Sequence, residues 1–414
     1  MTAKTLELTA NLDTNLINRE APTQRVLHIH LRSPQAHERK TRSPLNLALV
    51  IDRSGSMSGE KLSYVRQAAL HVIDLLDERD RAALVSYDDK VSLLCPSLHT
   101  TASNKTMLRN MIQEIRSGGM TNLSGGWLEG CQQIAAHLNG GQNVTRALLL
   151  TDGLANVGIT NEEELQFHAR ELQQRGVATS TFGVGEGFNE HLLEGMSNQG
   201  GGQFYFIEHP RDIPTIFARE MNELTAITAR GLAITISLPA NTSAEVLGGW
   251  QHQQHPGQVS LHLGDLAASA ERDLYVLLNI PPQAAGPDQL EVIVRAEASA
   301  EDQAALTASQ PVEMRYAPAD QVGNTTLDEA VMKGYAKVAV ADHASRALHM
   351  ERGGRREEAS FSLDRALKMA APYFEEDELQ EYRALSEKMK GGLNEMERKV
   401  NHYNNYRRKQ TRGE

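Results

Sequence analysis

The sequence predicts an α/β fold in which a doubly wound, mostly parallel sheet is inserted into a β-sandwich and followed by a C-terminal α-helical region. Three observations predict it. Aliphatic runs typical of buried strands alternate with amphipathic helical patterns over residues 44–224. Short strands separated by Gly- and Pro-containing turns occupy residues 225–318. Helical periodicity then dominates residues 319–414.

The first segment, residues 1–43, contains two runs in which apolar and polar side chains alternate. One run carries Leu6, Leu8 and Ala10, and the other spans residues 26–31. A period of two is typical of half-buried strands, and two isolated strands cannot bury a face alone. We therefore expect them to complete the sandwich of residues 225–318, with the α/β unit inserted between.

In the α/β unit, residues 45–51 are almost continuously aliphatic, as expected of a central parallel strand covered on both faces. Residues 61–78 follow with apolar positions at helical spacing, and further buried strands are predicted at 82–87 and 146–150. The pattern predicts strict alternation of strand and helix throughout this unit.

The helical region begins with an Ala-rich helix at residues 326–350, which Gly353 and Gly354 interrupt before a second helix at 357–370. The tail from residue 383 onward carries more Lys and Arg than Glu. We interpret it as a solvated helix face rather than a nucleic-acid site.

The composition excludes several classes of protein. The 414 residues include 42 Lys and Arg against 53 Asp and Glu, a net charge of −11, which argues against a protein that coats nucleic acid or anionic membranes. Cys95 and Cys131 are the only cysteines, too few for a disulfide framework. No apolar run has the length of a membrane span, and the first residues do not resemble a secretory signal. We expect a soluble cytoplasmic protein.

Side chains that carry oxygen atoms lie in three loops at one edge of the predicted sheet. Asp52, Ser54 and Ser56 follow the first buried strand, Thr121 lies in a Gly-rich loop, and Asp152 ends the strand at 146–150. Ligands of open α/β sheets bind at the carboxyl ends of the strands. Because carboxylate and hydroxyl oxygens are hard ligands, this set suits Mg²⁺.

At these residues the sequence resembles the von Willebrand factor type A (VWA) domain. The resemblance covers residues 44–224 and rests on Asp-Arg-Ser-Gly-Ser-Met, Gly-Gly-Met-Thr-Asn-Leu, Leu-Leu-Leu-Thr-Asp-Gly and Thr-Phe-Gly-Val-Gly. It implies a metal-ion-dependent adhesion site in which Asp52, Ser54, Ser56 and Thr121 hold Mg²⁺, with Asp152 close, often through water. Mn²⁺ or Ca²⁺ are alternatives, and a carboxylate from a protein partner completes the coordination. Met120 departs from the small residue common before the threonine.

The flanking segments are similar to those of inter-α-trypsin-inhibitor heavy chains and bacterial VWA proteins. The leading hypothesis is accordingly a non-catalytic scaffold that captures an acidic residue of a partner. An accessory, substrate-presenting role beside an AAA+ ATPase of the MoxR type is the alternative. A Mg²⁺-dependent hydrolase is a weaker third possibility, because no nucleophile or general base is evident near the loops.

Other interpretations of these residues fit less well. Ser56 or Ser58 acting only as a helix cap leaves Thr121 and Asp152 unexplained. A phosphate loop requires Gly-Lys-Ser/Thr in succession, which the sequence lacks after this strand. The histidine pairs His28/His30 and His252/His255 suggest zinc, but they have no cysteine partners, and alternation predicts only that the first pair shares one sheet face.

Overall fold

A computed structural model describes residues 5–35, 42–138, 143–283, 287–300 and 304–410. Its strands are, in chain order, β1 (Glu7–Leu12), β2 (Leu16–Asn18), β3 (Thr23–Arg32), β4 (Leu45–Asp52), β5 (Arg81–Tyr87), β6 (Val91–His99), β7 (Val144–Thr151), β8 (Ala178–Val184), β9 (Gly201–Ile207), β10 (Ile227–Ser237), β11 (Ser243–Val246), β12 (Gln251–His255), β13 (Gln258–Ala267), β14 (Glu271–Ile280), β15 (Gln289–Ala300) and β16 (Ala305–Ala317).

The helices are α1 (Glu60–Leu75), α2 (Ala102–Glu114), α3 (Leu123–Ala135), α4 (Glu162–Gln174), α5 (Glu190–Gln199), α6 (Ile213–Thr225), α7 (Ala319–Gly323), α8 (Glu329–Arg352), α9 (Arg356–Ala370), α10 (Glu376–Gly391) and α11 (Glu395–Lys409). None of the helices within the described ranges is both long and apolar enough to cross a membrane.

The central sheet has the strand order β6-β5-β4-β7-β8-β9. Every residue of β4 and β7 is buried, because α1, α2 and α6 pack on one face of the sheet and α3, α4 and α5 on the other. This double covering is the reason that these strands are continuously aliphatic. The predicted fold class is confirmed: the sheet is mostly parallel and doubly wound.

The predicted strict alternation of strand and helix is wrong at one edge of this sheet. β6 follows β5 directly and pairs with it antiparallel. Only residues 88–90 separate the two strands, and a parallel pair needs a crossover of a dozen or more residues. The turn Asp88-Asp89-Lys90 therefore marks a hairpin, and no helix lies between its two strands.

The β-sandwich combines N-terminal strands with strands that follow the α/β unit. One sheet has the order β1-β3-β14-β11 and the other β12-β13-β10-β15-β16-β2. Side chains such as Leu27 and Ile29 of β3 pack against Ile234 and Ile236 of β10 in the space between the sheets. Because period two sends neighbouring side chains to opposite faces, His28 and His30 lie on the outer face of the first sheet.

The basic tail is docked on the protein, which differs from the predicted solvated face. The Lys399 Nζ lies 2.7 Å from Glu190 Oε2 of α5, with both side chains buried. The Tyr406 hydroxyl accepts a hydrogen bond from the Phe204 amide of β9 at 3.2 Å. Helix α11 therefore packs on the α/β unit, and cationic side chains on its inner face form ion pairs with acidic residues of the same chain.

Candidate metal site

Asp52, the last residue of β4, is a fully buried carboxylate of the predicted site. Its Oδ1 accepts a hydrogen bond from the Ser54 amide at 2.8 Å, and its Oδ2 accepts one from the Thr151 hydroxyl at 2.6 Å. Burial raises the pKa of Asp52 to about 6, although these hydrogen bonds oppose the shift. A cation bound nearby would stabilise the charged form of this poorly solvated carboxylate.

Two serine hydroxyls connect this loop to the next strand end. The Oγ atoms of Ser54 and Ser56 are 3.1 Å apart, and Ser56 donates to Asp152 Oδ1 at 2.7 Å. Asp152 directly follows β7, which is the neighbour of β4 in the sheet. The strand register therefore brings the two aspartates to the same edge.

The loop that carries Thr121 is tied to the first loop through its backbone. The Gly55 amide donates to the Gly119 carbonyl at 3.0 Å, and the Gly118 amide donates to the Arg53 carbonyl at 2.7 Å. Thr121 itself is buried, and its amide donates to the Asn156 side chain at 3.0 Å.

The Thr121 hydroxyl faces the same space as the Ser56 hydroxyl. A Cβ atom added to Gly153 would lie 3.2 Å from Thr121 Oγ1 and 3.8 Å from Ser56 Oγ. Glycine at this position leaves room between the two hydroxyls. The structure thus brings all five predicted residues, Asp52, Ser54, Ser56, Thr121 and Asp152, to one edge of the sheet.

The two glycines before Met120 pack closely against the turn between β5 and β6. A Cβ at Gly118 would lie 1.9 Å from Asp88 Oδ2, and one at Gly119 would lie 2.1 Å from Asp89 Oδ1. The Asp88 carboxylate is buried and accepts a hydrogen bond from the Gly119 amide, so a Cβ at Gly118 would disturb this contact, whereas Asp89 is exposed and its carboxylate can turn away from a Cβ at Gly119. Close packing against Asp88 therefore explains the glycine at position 118.

Lys61 is a part of the site that sequence reasoning missed. Its ammonium, in the first turn of α1, donates a hydrogen bond to Asp152 Oδ2. The Asp152 side chain is fully buried, whereas that of Lys61 remains 30% exposed. No motif signals this contact, because a lysine two residues after a glycine is common on a solvated helix. The roles of Thr151 and Asn156, which bond Asp52 and the Thr121 amide, depend on contacts between loops that are distant in sequence.

The donor set fits a divalent cation. Its two carboxylates and three hydroxyls present only oxygen atoms, and burial disfavours the charge of the Asp52 carboxylate. Oxygen ligands of this kind with room for water are what Mg²⁺ prefers, and Mn²⁺ and Ca²⁺ accept the same set.

Comparison with models of known protein families identifies one match. A family model described as the von Willebrand factor type A domain matches residues 46–219. The chain contains a VWA domain. Domains of this family typically bind a divalent metal at a metal-ion-dependent adhesion site and often take part in metal-dependent protein interactions.

Two relatives show how far sequence similarity extends. YfbK of Escherichia coli is 29% identical over 254 residues, 59% of this chain and 43% of YfbK. The human inter-alpha-trypsin inhibitor heavy chain H4 is 30% identical over 219 residues, 51% of this chain and 23% of the heavy chain. The chain therefore spans less than half the length of either relative.

Two solved structures share the fold beyond the VWA domain. A von Willebrand factor type A protein from Catenulispora acidiphila superposes with a TM-score of 0.72 at 16% identity, covering 92% of this chain and 89% of that one. The ArnB paralog VWA2 from Sulfolobus acidocaldarius gives 0.67 at 18% identity, covering 99% and 100%. The combination of VWA domain, sandwich and helices is thus a recurrent architecture.

Proposed function

We propose that this chain is a non-catalytic binding scaffold in which Mg²⁺, held by Asp52, Ser54, Ser56 and Thr121 with Asp152 close by, captures an acidic residue of a protein partner. The observation that carries the proposal is the convergence of two buried carboxylates and three hydroxyls from three loops. Within this proposal the VWA unit spans residues 44–224, between the sandwich segments 1–43 and 225–318, and residues 319–414 form the helical region.

The local charge supports an anionic ligand. The formal charges of Asp52, Asp152 and Lys61 sum to one negative charge. A bound divalent ion therefore gives the site a net charge of one positive unit. Hydroxyl ligands add no charge, and the buried surroundings screen it weakly. A carboxylate from outside would neutralise this excess and complete the coordination of the metal.

The rim of the site supports a protein partner over a small anion. Met120, the residue before Thr121, is 59% exposed, and Leu154, two residues after Asp152, is 55% exposed. Large apolar side chains exposed beside a polar centre favour contact with another protein surface. An Asp or Glu flanked by apolar residues would use both features.

The test is affinity capture with the full chain in the presence of Mg²⁺. We expect a set of proteins that wild type retains and that Asp52→Ala and EDTA both release. Ser58→Ala is the matched control, since Ser58 is an exposed hydroxyl of the same loop outside the ligand set. For a captured protein, replacing its contacting Asp or Glu by Asn or Gln should abolish retention. Unchanged metal binding and capture by Asp52→Ala would contradict the proposal.

The accessory role beside a MoxR-type AAA+ ATPase stays a prediction. It would add one partner to the same scaffold, with the metal site presenting the substrate. Co-purification of an ATPase with the full chain from its native host would support it. Phosphoester turnover dependent on Mg²⁺ would instead favour the hydrolase hypothesis. A cytoplasmic location belongs to the proposal as well, and cell fractionation tests it.

A further inference from the structure

A second cluster of potential metal ligands lies on the outer face of the four-stranded sheet, on β3 and β14. His28 Nε2 lies 2.7 Å from Asp273 Oδ1, and His30 Nδ1 lies 2.9 Å from the same oxygen. The three ligand atoms are within 4.8 Å of one another. Asp273 is the cross-strand partner of His30, so backbone pairing fixes the arrangement.

We propose that His28, His30 and Asp273 form a site for Zn²⁺, with the remaining coordination position open to water or to an incoming ligand. Two imidazole nitrogens and one carboxylate are a common protein ligand set for this ion. It differs in kind from the oxygen-only set at Asp52, which suits a harder cation. The two sites are on different sheets and would bind their metals independently.

Two of the three distances between ligand atoms require little movement, whereas the third, between the two imidazole nitrogens, lies within 4.8 Å and has to approach the tetrahedral separation. Ligand atoms arranged tetrahedrally around zinc at 2.0–2.1 Å lie about 3.3 Å from one another. The two nitrogens are now 2.7 and 2.9 Å from the Asp273 oxygen, so an ion needs them to separate by a few tenths of an ångström. The proton that each ring now shares with Asp273 would move to its other nitrogen or to solvent.

Neighbouring residues hold the ligands in place. The His28 ring stacks on Tyr275 with centroids 4.8 Å apart and planes 10° apart. Tyr275 in turn packs so closely on α8 that a Cβ at Gly334 would lie 1.7 Å from its hydroxyl. Two ligands on a paired strand and one stacked ring give a preformed site, which lowers the conformational entropy lost on binding.

The cluster is also accessible. The side chains of His28, His30 and Asp273 are 19%, 32% and 32% exposed, so an ion can reach them from solvent. Asp273 and Tyr275 also line a cavity of about 290 Å³ between this sheet, α8 and α10.

Zinc titration of the full chain, in an excess of Mg²⁺ and in the Asp52→Ala background, tests this site apart from the site at Asp52. A chromogenic zinc chelator reports the competition. We expect one zinc ion per chain, bound equally in both backgrounds. Loss of an outer-shell partner alone weakens metal binding by about 10–100-fold, so His28→Gln/His30→Gln should remove it.

The matched control is His252→Gln/His255→Gln, which removes the exposed pair on β12 and should leave zinc binding unchanged. Asp273→Asn keeps the size of the side chain and should weaken binding by more than about tenfold. Thermal unfolding of each apo variant shows that it is folded. X-ray absorption of the loaded protein should show two imidazole ligands. Equal zinc affinity in wild type and His28→Gln/His30→Gln, or none in wild type, would overturn the proposal.

Discussion

Lys61 donates a hydrogen bond to one carboxylate oxygen of Asp152, and Ser56 donates to the other at 2.7 Å. The Lys61 ammonium thus bonds a carboxylate, that of Asp152, which lies beside the proposed metal. The ammonium compensates the burial of Asp152 and at the same time repels a divalent ion.

Replacing this cation should strengthen metal binding. We expect Lys61→Met to raise the affinity for Mg²⁺ by about tenfold, or roughly 1.4 kcal/mol, because a like charge is removed from a weakly screened site. Isothermal titration measures the affinity, with Lys105→Met as the control, since the Lys105 ammonium donates a hydrogen bond to the carbonyl of Leu76, the residue that follows α1. Weaker binding in Lys61→Met would mean that the lysine positions Asp152 for the metal.

Removing the charge of Asp52 should uncouple stability from Mg²⁺. In EDTA, Asp52→Asn should be at least as stable as wild type, because Asp52 is fully buried and burial disfavours its charge. With Mg²⁺ at 100 times its Kd, wild type should gain about 2.7 kcal/mol and the variant nothing. Thermal unfolding with and without Mg²⁺ measures both, and Ser58→Ala should behave as wild type. An equal gain in Asp52→Asn contradicts the ligand assignment.

Gly118→Ala should weaken the site without removing a ligand. The new Cβ would meet Asp88 Oδ2 at 1.9 Å and displace the loop that carries Thr121. We expect the Mg²⁺ affinity to fall by about tenfold, comparable to the loss of an outer-shell contact. Gly391→Ala, whose Cβ would meet no atom within 4 Å, is the control in the same titration. Wild-type affinity in Gly118→Ala would show that the loop tolerates the shift.

The packing of α11 on α5 should weaken in mild acid through His191. Burial and the neighbouring His402 lower the pKa of His191 to about 4 from 6.5. Between these pH values the unfolded chain binds the proton and the folded chain does not, so stability falls as the pH drops from 6.5 to 4. Arg352 lowers the pKa further, whereas Glu190 and Glu194 oppose the shift.

His191→Phe removes this contribution, so between pH 6.5 and pH 4 the variant should lose about 2–3 kcal/mol less stability than wild type. Unfolding measured by calorimetry at both ends of the range gives the comparison. His209→Phe, which changes a histidine that is half exposed, should follow the wild-type slope. If His191→Phe loses as much as wild type, the pH response arises elsewhere.

Much of the fold could be predicted because burial leaves a periodic trace in the sequence. The fully buried strands β4 and β7 are continuous aliphatic runs, and the sandwich strands alternate. β12 escaped prediction because it is a sheet edge made of glutamines and histidines, most of them exposed. Edge strands gain their order from backbone pairing, which hydropathy does not record.

The sequence by itself determined the VWA fold class and the loops that carry Asp52, Thr121 and Asp152, since position at a strand end follows from local pattern. Only the tertiary structure decided which partners these groups meet. Lys61 reaches Asp152 across 91 positions of sequence, and Asp273 reaches His28 across 245. Side-chain periodicity is local, whereas charge pairing and ligand clusters depend on distances that only the packed chain sets.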